Sequence, residues 1–490
     1  MSKFRAPDHY QQSSKYSLLP FKFIKLDEAT DDDTYIMVNY AGEYLLATRK
    51  NIFDLVNLNL VPSDPLFIKF KSRHFLYDKA STVSQDLLAL KLRTKYSRLS
   101  DFTGLHMFVV SLRCEHSCPY CQVSRQSEDR EAYDMTEEMA DKSLDLVFKS
   151  PNRNIKIEFQ GGEPLLNFEI IKYIVEKALQ INDSEKRNLA FVIATNLALL
   201  SDEHLEFCSK YNIQISTSLD GPADLHNANR PRPGGDSYER AVKGIEMARS
   251  KLGHYQVSAL MTTTERSLSR AKDIIDEYLK QDFNGIFLRP LSPYGFAIKT
   301  KNYDKYSTKQ WMQFYAEGLD YIIELNKKGV PFREYYASTI LSKIFTSNDP
   351  GYVDLMSPSG NGIAAIVYNY NGDVFASDES RMLAEMGINK FKLGNVLSNS
   401  YKEIFLSDNL LDPLEQSFAL SCPMCTDCAF ESYCGSDPVF HYAIDSDYIG
   451  HKSFSNFCFK NMEIFRILIK KLHKDDFTYR LLRSWGMPHA

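Results

Sequence analysis

The sequence predicts an α/β fold centred on a partial barrel of six βα units. Between residues 105 and 330, six short apolar runs rich in β-branched and aromatic residues alternate with amphipathic helical runs. Such alternation implies right-handed crossovers and a parallel sheet, and six units rather than eight predict an incomplete barrel. Because strands precede helices before this region and the alternation stops after it, we predict three domains, at residues 1–100, 101–330 and 331–490.

The first hundred residues have the pattern of a small α+β domain. Short alternating runs between Tyr16 and Leu60 predict antiparallel strands, and a helical pattern begins at Arg49. Further helical patterns follow at 65–76 and 83–92. A strand meander followed by helices within about 100 residues has the size of a separate domain.

The barrel region places its chemically distinctive residues where strands end. The predicted strands are LHMFVVSL, IKIEFQ, LAFVIAT, IQISTSL, YQVSALM and GIFLRPL. The predicted helices are 136–150, 168–181, 202–211, 238–252, 268–279 and 309–328. In parallel α/β folds the chemistry collects at the carboxyl ends of the strands. We therefore expect one cavity to be faced by the segments that follow or end five of the strands, which are 114–121, 160–164, 195–196, 218–221 and 289–291.

The last third of the chain combines a hairpin, a second group of cysteines and a helical tail. Residues 361–375 predict a hairpin that turns at Asn371-Gly372. Residues 454–485 have a helical pattern. Between them lie Cys422, Cys425, Cys428 and Cys434, with Cys458 further on.

Composition excludes several classes of partner and compartment. Charged residues make up 25% of the 490 residues and the net charge is −5, which offers no footprint for nucleic acid. No apolar stretch reaches the roughly 20 residues of a membrane span, and the first residues lack a signal-peptide core, so we expect a cytoplasmic protein without membrane partners. Eight of the nine cysteines fall in two clusters, which indicates metal ligation rather than disulfides. The other, Cys208, is expected to be a buried apolar residue on a helix.

The loop after the first barrel strand brings three thiols together at Cys114, Cys118 and Cys121. A four-iron cluster normally takes four cysteine ligands, so three leave one iron open to a small molecule. The alternative is a zinc site, which needs a fourth ligand such as His116.

With Tyr120 before its third cysteine, and with Gly161-Gly162-Glu163 ending the second strand, this loop resembles the signature of the radical S-adenosylmethionine (SAM) superfamily. The resemblance implies a [4Fe–4S] cluster in the loop and SAM on its open iron. The segment from Gln160 to Glu163 would contact the methionyl amino group, and a 5′-deoxyadenosyl radical would abstract hydrogen from the substrate. In such cases the cofactor does the difficult chemistry and the protein positions it.

The same resemblance assigns further cofactor contacts. Ser218 would contact the ribose and Arg230 the cofactor carboxylate. Tyr120, Gly162 and Leu291 would line the adenosyl site. Each alone also has an ordinary interpretation, such as a surface serine, a solvated arginine or a core leucine.

The second cysteine group resembles a SPASM domain, in which seven cysteines hold two auxiliary [4Fe–4S] clusters. Ser359, Ser377 and Pro438 stand where this pattern has the ligands of the inner cluster. We therefore expect one auxiliary cluster, with Cys422 as a spare or alternative ligand and a structural zinc as the alternative occupant. The outer cluster would be held by Cys425, Cys428, Cys434 and Cys458.

Asp378 directly follows Ser377, at a position where some SPASM enzymes carry an acidic catalytic residue. By that resemblance its carboxylate would take the proton that the substrate loses. The alternative is a solvated loop carboxylate.

Taken together, the chain resembles radical SAM/SPASM peptide maturases, most nearly the His-Xaa-Ser system maturases (HxsB-like). The resemblance implies a winged-helix-like, PqqD-like N-terminal domain that adds a leader peptide to its sheet edge. The implied activity is cross-linking or oxidative C–H modification of a ribosomally made precursor peptide. The implied partners are that peptide with its leader, a low-potential reductant such as flavodoxin or ferredoxin, and a second radical SAM maturase.

Two alternatives remain open at this point. One is a maturase of a folded protein, of the type that forms formylglycine in sulfatases. The other is a non-catalytic Fe–S or zinc protein that binds a peptide.

Overall fold

The computed structural model describes residues 16–27, 33–78, 82–305 and 307–487. Residues 1–15, on which the expectation about a signal segment rests, lie outside the described residues. Across the described ranges, no helix is long and apolar enough to cross a membrane.

The N-terminal region contains the predicted strands followed by helices. Its strands are β1 (Ser17–Leu18), β2 (Phe21–Lys25), β3 (Thr34–Asn39), β4 (Tyr44–Thr48) and β5 (Leu76–Tyr77). Its helices are α1 (Arg49–Val56), α2 (Pro65–Ser72) and α3 (Val83–Lys95). Strands β2, β3 and β4 form an antiparallel sheet in that order, and β1 pairs with β5. Thr48 caps α1 and Asp64 caps α2 through their side chains, which explains where these helices begin.

Five strands of the alternating region form the parallel sheet that was predicted. They are β6 (Leu105–Ser111), β7 (Asn154–Gly161), β8 (Asn188–Thr195), β9 (Gln214–Ser218) and β10 (Val257–Leu260), which pair in sequence order. The helices among and after them are α4 (Arg130–Tyr133), α5 (Glu137–Val147), α6 (Phe168–Glu185), α7 (Asp202–Lys210), α8 (Ala223–Asn229), α9 (Ser237–Leu252) and α10 (Ala271–Lys280). One face of this sheet is apolar and buried, with Ile157, Phe191 and Ile215 in the core clusters. The alternating positions on the other face are largely polar, as at Glu158, Gln160 and Ser218.

The sixth predicted strand is much shorter than its apolar pattern indicates. Only β11 (Gly285–Ile286) is a strand, and it pairs with β12 (Arg333–Glu334) instead of β10. Beyond it, the Leu288 amide donates to the Glu334 carboxylate at 3.1 Å, and the Arg289 carbonyl accepts from the Thr263 amide at 3.0 Å. Because these irregular partners occupy its backbone, the prediction of six full strands in one sheet is wrong.

The C-terminal chain returns to the opposite edge of the same sheet. After α11 (Phe296–Lys299), α12 (Thr308–Lys327) and α13 (Tyr335–Phe345), strand β13 (Ala365–Tyr368) pairs in parallel with β6. Strands β14 (Asp373–Phe375) and β15 (Lys392–Asn395) follow in antiparallel order and complete eight strands. The predicted hairpin turn is confirmed, and Gly372 supplies its left-handed residue at φ 81°. The remaining helices are α14 (Asp378–Ala384), α15 (Tyr401–Phe405), α16 (Asp408–Gln416), α17 (Pro438–Asp445), α18 (Asn456–Leu472) and α19 (Asp476–Gly486).

One apolar cluster connects all three parts of the chain. It contains Ile36 of β3, Ile215 of β9, Trp311 of α12 and Leu468 of α18, each at most 2% exposed. The predicted helical tail is thus two helices that pack into this cluster.

The N-terminal sheet also contacts the second cysteine group. The Tyr433 hydroxyl donates to the Gly42 carbonyl at 2.6 Å, and Lys22 pairs with the buried Glu431 at 3.3 Å. These contacts place the N-terminal sheet beside the cysteines that follow α16.

Candidate active site at the strand ends

The three-cysteine loop follows β6 and is held by segments that come from other strand ends. The Ser117 amide donates to the Pro231 carbonyl at 2.7 Å, and the Phe296 amide donates to the Cys121 carbonyl at 2.8 Å. Cys114, Cys118 and Cys121 are all partly exposed and none is in a disulfide. The loop is therefore a fixed feature that presents three free thiols at the edge of the sheet.

His116 is already engaged at both ring nitrogens. Nδ1 lies 2.9 Å from the Glu115 carboxylate and Nε2 lies 2.8 Å from the Ser237 hydroxyl, and the residue is 3% exposed. Ligand atoms of Cys114, Glu115 and His116 lie within 4.8 Å of one another, but to bind a metal the imidazole would have to release one partner. The contacts of His116 therefore favour three thiol ligands over the zinc alternative.

Gly161 and Gly162 let the end of β7 lie directly against the chain that leads into the cysteine loop. A Cβ atom at Gly161 would lie 2.1 Å from the Ser111 carbonyl oxygen, and one at Gly162 would lie 2.2 Å from that of Arg113. The Gly162 amide donates to the Ser111 carbonyl at 2.8 Å. The close approach that glycine permits here is thus to the neighbouring strand.

We expect Gly162→Ala to lower the free energy of unfolding by roughly 1–3 kcal/mol, because its methyl group must displace the Arg113 backbone. SAM binding should weaken with it, since that backbone leads into the loop. Thermal unfolding and equilibrium dialysis measure the two effects. Gly329→Asn is the control. A Cβ atom at Gly329 would have none of the described atoms within 4 Å, and asparagine tolerates its φ of 83°. Equal stability of the two variants would contradict the packing argument.

The polar side chains of the glycine-rich segment, Gln160 and Glu163, form hydrogen bonds to residues of the same sheet and of the loops that follow its strands. The fully buried Glu163 carboxylate accepts from the Leu165 amide at 3.1 Å, the Thr195 hydroxyl at 2.6 Å and the Asn196 amide at 2.9 Å. Burial, and then the charge of Glu115, raise the pKa of Glu163 to about 8. Gln160 similarly donates to Glu158 at 2.7 Å. The Glu163 carboxylate therefore ties the end of β7 to the end of β8.

Asp220 connects Tyr120 and Arg230, two of the residues predicted to contact a cofactor. Its fully buried carboxylate accepts from the Tyr120 hydroxyl at 2.5 Å, from Nε and Nη2 of Arg230 at 3.1 and 3.2 Å, and from the Thr262 amide at 3.2 Å. Burial raises the pKa of Asp220, but the charge of Arg230 and the hydrogen bonds outweigh it and hold this pKa below its usual value. Asp220 lies in the segment 218–221 that was expected to face the cavity, but no role was predicted for it.

A polar chain continues from Asp220 to the cysteine loop. The Asp220 amide donates to Nδ1 of His226 at 3.2 Å, and Nε2 of His226 lies 3.1 Å from the Ser237 hydroxyl that also contacts His116. Burial lowers the pKa of His226 to about 4, so its imidazole is neutral at pH 7. The loop and the end of β9 are thus positioned as one unit.

The other predicted site residues lie around this unit. Ser218 is the half-buried last residue of β9 and lies opposite Leu260 of β10. Leu291 follows β11 and lines a cavity of about 60 Å³. Asp378 begins α14, and Arg381 donates to it through Nε at 3.2 Å and Nη2 at 3.1 Å. The alternative of a solvated loop carboxylate is therefore wrong for Asp378, whose side chain is only 15% exposed.

Four thiols of the second group line a common cavity of about 360 Å³ with mostly apolar walls. Zinc–sulfur bonds of about 2.3 Å would hold tetrahedral sulfurs only about 3.8 Å apart. Over the described ranges, just one trio of potential ligand side chains has its ligand atoms within 4.8 Å, and it is the trio at Cys114. The cavity thus fits a larger inorganic cluster better than one ion. The thiols belong to Cys425, Cys428, Cys434 and Cys458.

Cys422 is fully buried outside that lining, with Sγ 3.0 Å from the Gln416 carbonyl oxygen. The residues at the three positions where a SPASM domain has ligands of the inner cluster have structural roles here. Ser377 caps α14, Pro438 is the first residue of α17, and the Ser359 hydroxyl accepts from Asn361 at 2.9 Å.

Comparison with known proteins adds a family match. The family model of the radical SAM superfamily matches residues 108–277. An uncharacterized protein of Methanothermobacter thermautotrophicus is 33% identical over 193 residues, which are 38% of this chain and 67% of that protein. A cysteine-type anaerobic sulfatase-maturating enzyme of Clostridium perfringens is 24% identical over 330 residues, or 64% of this chain and 83% of the enzyme.

Two solved structures share the fold. Native anSMEcpe with bound AdoMet has a TM-score of 0.61 at 18% identity, covering 78% of this chain and 99% of that one. Streptococcus suis SuiB bound to the precursor peptide SuiA has a TM-score of 0.52 at 15% identity, covering 90% of this chain and 99% of SuiB. At such identities the likeness concerns the fold.

Proposed function

Because the chain belongs to the radical SAM superfamily, we propose that it modifies a ribosomally made precursor peptide, by cross-linking or by oxidative C–H modification. The observation that carries the proposal is the three-thiol loop, fixed beside Tyr120, Asp220 and Arg230 at one edge of a parallel sheet. The bound cluster and SAM would supply reductive sulfonium cleavage and hydrogen-atom abstraction.

The chain's own residues would hold and orient that cofactor. Cys114, Cys118 and Cys121 would ligate the cluster. Nε and Nη2 of Arg230 donate to Asp220. Nη1 is therefore the guanidinium nitrogen that would donate to the carboxylate of the cofactor. Asp220 would keep Arg230 charged and oriented. The backbone of Gly161 and Gly162, together with Ser218 and Leu291, would complete the site.

Asp378 is proposed as the group that takes the substrate proton. Both of its hydrogen bonds from Arg381 are to Oδ1. Oδ2 would be the oxygen that meets the substrate.

Two observations support a leader-bearing peptide as the substrate. The likeness to SuiB bound to its precursor peptide spans 90% of this chain and so includes more of it than the likeness to anSMEcpe, which spans 78% with the higher TM-score. The N-terminal sheet has β2 and β4 as its edges, and a leader peptide can bind by adding a strand to such an edge. That sheet would serve as the PqqD-like recognition domain.

The reconstituted chain is expected to contain about eight irons, because each of two clusters holds four. The support is the cavity lined by four thiols and the loop with three. Iron analysis and Mössbauer spectroscopy measure the content. A Cys425→Ala/Cys428→Ala variant should keep about four irons and still cleave SAM, since its loop is intact. About twelve irons would contradict the assignment of the inner positions, and four irons with one zinc would support the zinc alternative.

The second candidate is a maturase of a folded sulfatase, favoured by the 24% identity to the C. perfringens enzyme over 83% of its length. Co-expression with each kind of substrate distinguishes the two functions. A mass shift in a leader-bearing peptide that disappears when the leader is removed is the expected result. Formylglycine in a co-expressed sulfatase, without need for a leader, would instead establish the alternative.

A further inference from the structure

A cavity of about 60 Å³ opens directly after β11. Arg289, Pro290 and Leu291 form one of its walls, and Leu291 is the residue proposed for the adenosyl site. One water needs about 10–15 Å³, so the space holds several groups of that size but no large ring system. Whatever occupies this cavity would contact the segment that carries Leu291.

Three carboxylates face this cavity, and we call it the carboxylate pocket. They belong to Asp354, Glu379 and Asp437, which come from separate parts of the C-terminal region. Arg289 and Lys460 also line it. None of these five side chains forms an ion pair with another in the described part of the chain. Three negative and two positive charges leave one negative charge in excess.

Burial is the largest cause of a raised pKa in all three carboxylates. A neighbouring carboxylate adds to the shift in each, and Arg289 or Lys460 opposes it. The pKa values of Asp354 and Asp437 rise to about 6 and that of Glu379 to about 7. A cation placed among the three groups would lower all three values and gain a charge-assisted contact.

An unpartnered polar group in the same wall points independently to a ligand. The Tyr294 hydroxyl belongs to a residue that is 1% exposed, and it has no hydrogen-bond partner among the described residues. Tyr294 lines the same cavity as Asp437 and Glu379, whose charges add to burial in raising its pKa. Buried polar groups normally have partners, so this hydroxyl indicates that one is supplied from outside.

We propose that the carboxylate pocket receives the cationic end of a lysine or arginine side chain of the peptide substrate. This inference rests on the proposed function and adds the chemical class of one substrate residue. The Tyr294 hydroxyl would accept from the bound ammonium or guanidinium, and the aromatic walls would face it. The anchored side chain would position the peptide for reaction nearby.

The test measures peptide binding to the reconstituted full-length chain. The chain has two tryptophans, so Trp485→Phe leaves Trp311, in the pocket wall, as the fluorescent reporter. The probes are blocked pentapeptides, acetyl-Gly-Gly-Xaa-Gly-Gly-amide, in which Xaa is lysine, arginine, norleucine or glutamate. We expect the lysine and arginine peptides to bind about tenfold or more tightly than the norleucine peptide, and the glutamate peptide to bind most weakly.

Neutralising the pocket should remove this preference. In Asp354→Asn/Glu379→Gln the lysine and norleucine peptides should bind within about threefold of each other, and each single variant serves if the double one does not fold. Glu277→Gln is the matched control, because Glu277 is a carboxylate that is 5% exposed and lies outside the pocket. Its carboxylate accepts a hydrogen bond from the Tyr238 hydroxyl at 2.5 Å. The Glu277→Gln variant should keep the preference for the lysine peptide.

Equal binding of the lysine and norleucine peptides, or a preference that survives neutralisation, would overturn the inference. Formation of 5′-deoxyadenosine is measured in the same samples. If SAM is cleaved without a cation preference, the pocket assignment fails and the proposed function stands. If the cation preference is present but SAM is never cleaved, the proposed function fails and the pocket stands.

Discussion

Anaerobically reconstituted Cys118→Ala protein is expected to form no detectable 5′-deoxyadenosine from SAM and dithionite. Cys118 supplies one of three thiols, and two thiols cannot hold a four-iron cluster that normally takes four. Losing a residue that merely supports a metal ligand costs about 10–100-fold, so losing a ligand should exceed that range. Chromatography of the nucleoside product and iron analysis measure the two losses together.

The control for this substitution is Cys208→Ala. Cys208 lies on α7, 1% exposed, within an apolar cluster away from both cysteine groups. Its loss should cost roughly 1 kcal/mol of stability and leave iron content and SAM cleavage unchanged. Undiminished cleavage by the Cys118→Ala protein would refute the assignment of the loop.

Arg230→Ala should lower the free energy of unfolding by about 3–5 kcal/mol. The substitution leaves the fully buried Asp220 carboxylate without the cation that contacts both of its oxygens. Removing one partner of a buried pair costs more than the pair itself contributes, because the remaining charge stays out of water. Denaturant unfolding measures the effect, and SAM binding should be lost as well.

Two further variants separate charge burial from loss of packing. Arg230→Ala/Asp220→Asn removes the uncompensated charge and should regain part of the lost stability, but not SAM binding. Arg480→Ala breaks an exposed pair with Asp476, and it should change stability by less than about 1 kcal/mol. If Arg230→Ala proved as mild as Arg480→Ala, the interpretation of Asp220 as a buried anchor would be wrong.

Much of the fold was predictable because the periodicity of apolar residues is a local property. The strands β6 to β10, the hairpin at Gly372 and the helical character of the tail all follow from short windows of sequence, whereas the division of the tail into two helices was not predicted. The shortening of β11 was not predictable. Its backbone partner at Glu334 lies 46 positions beyond Leu288, and no local pattern reports such a contact.

The candidate site likewise has a part that local sequence predicts and a part that depends on contacts between distant residues. Cysteine spacing and strand-end glycines predict the loop and its neighbours from local sequence. The contacts of Asp220 and the carboxylate pocket are visible only in the tertiary structure, because Asp354, Glu379 and Asp437 are scattered over 84 positions and carry no motif. Only folding brings such side chains to one cavity.

From sequence alone, the identity and spacing of the three thiols and the alternation that places them after a strand are determined, since both are encoded within a few residues. Tertiary structure decided what surrounds them. It buries Asp220 against Arg230 and Tyr120, engages both nitrogens of His116 and gathers the three carboxylates of the pocket into the cavity that Leu291 lines. The physical reason is that burial and charge pairing depend on residues distant in sequence, whose approach is set by the packing of the whole chain.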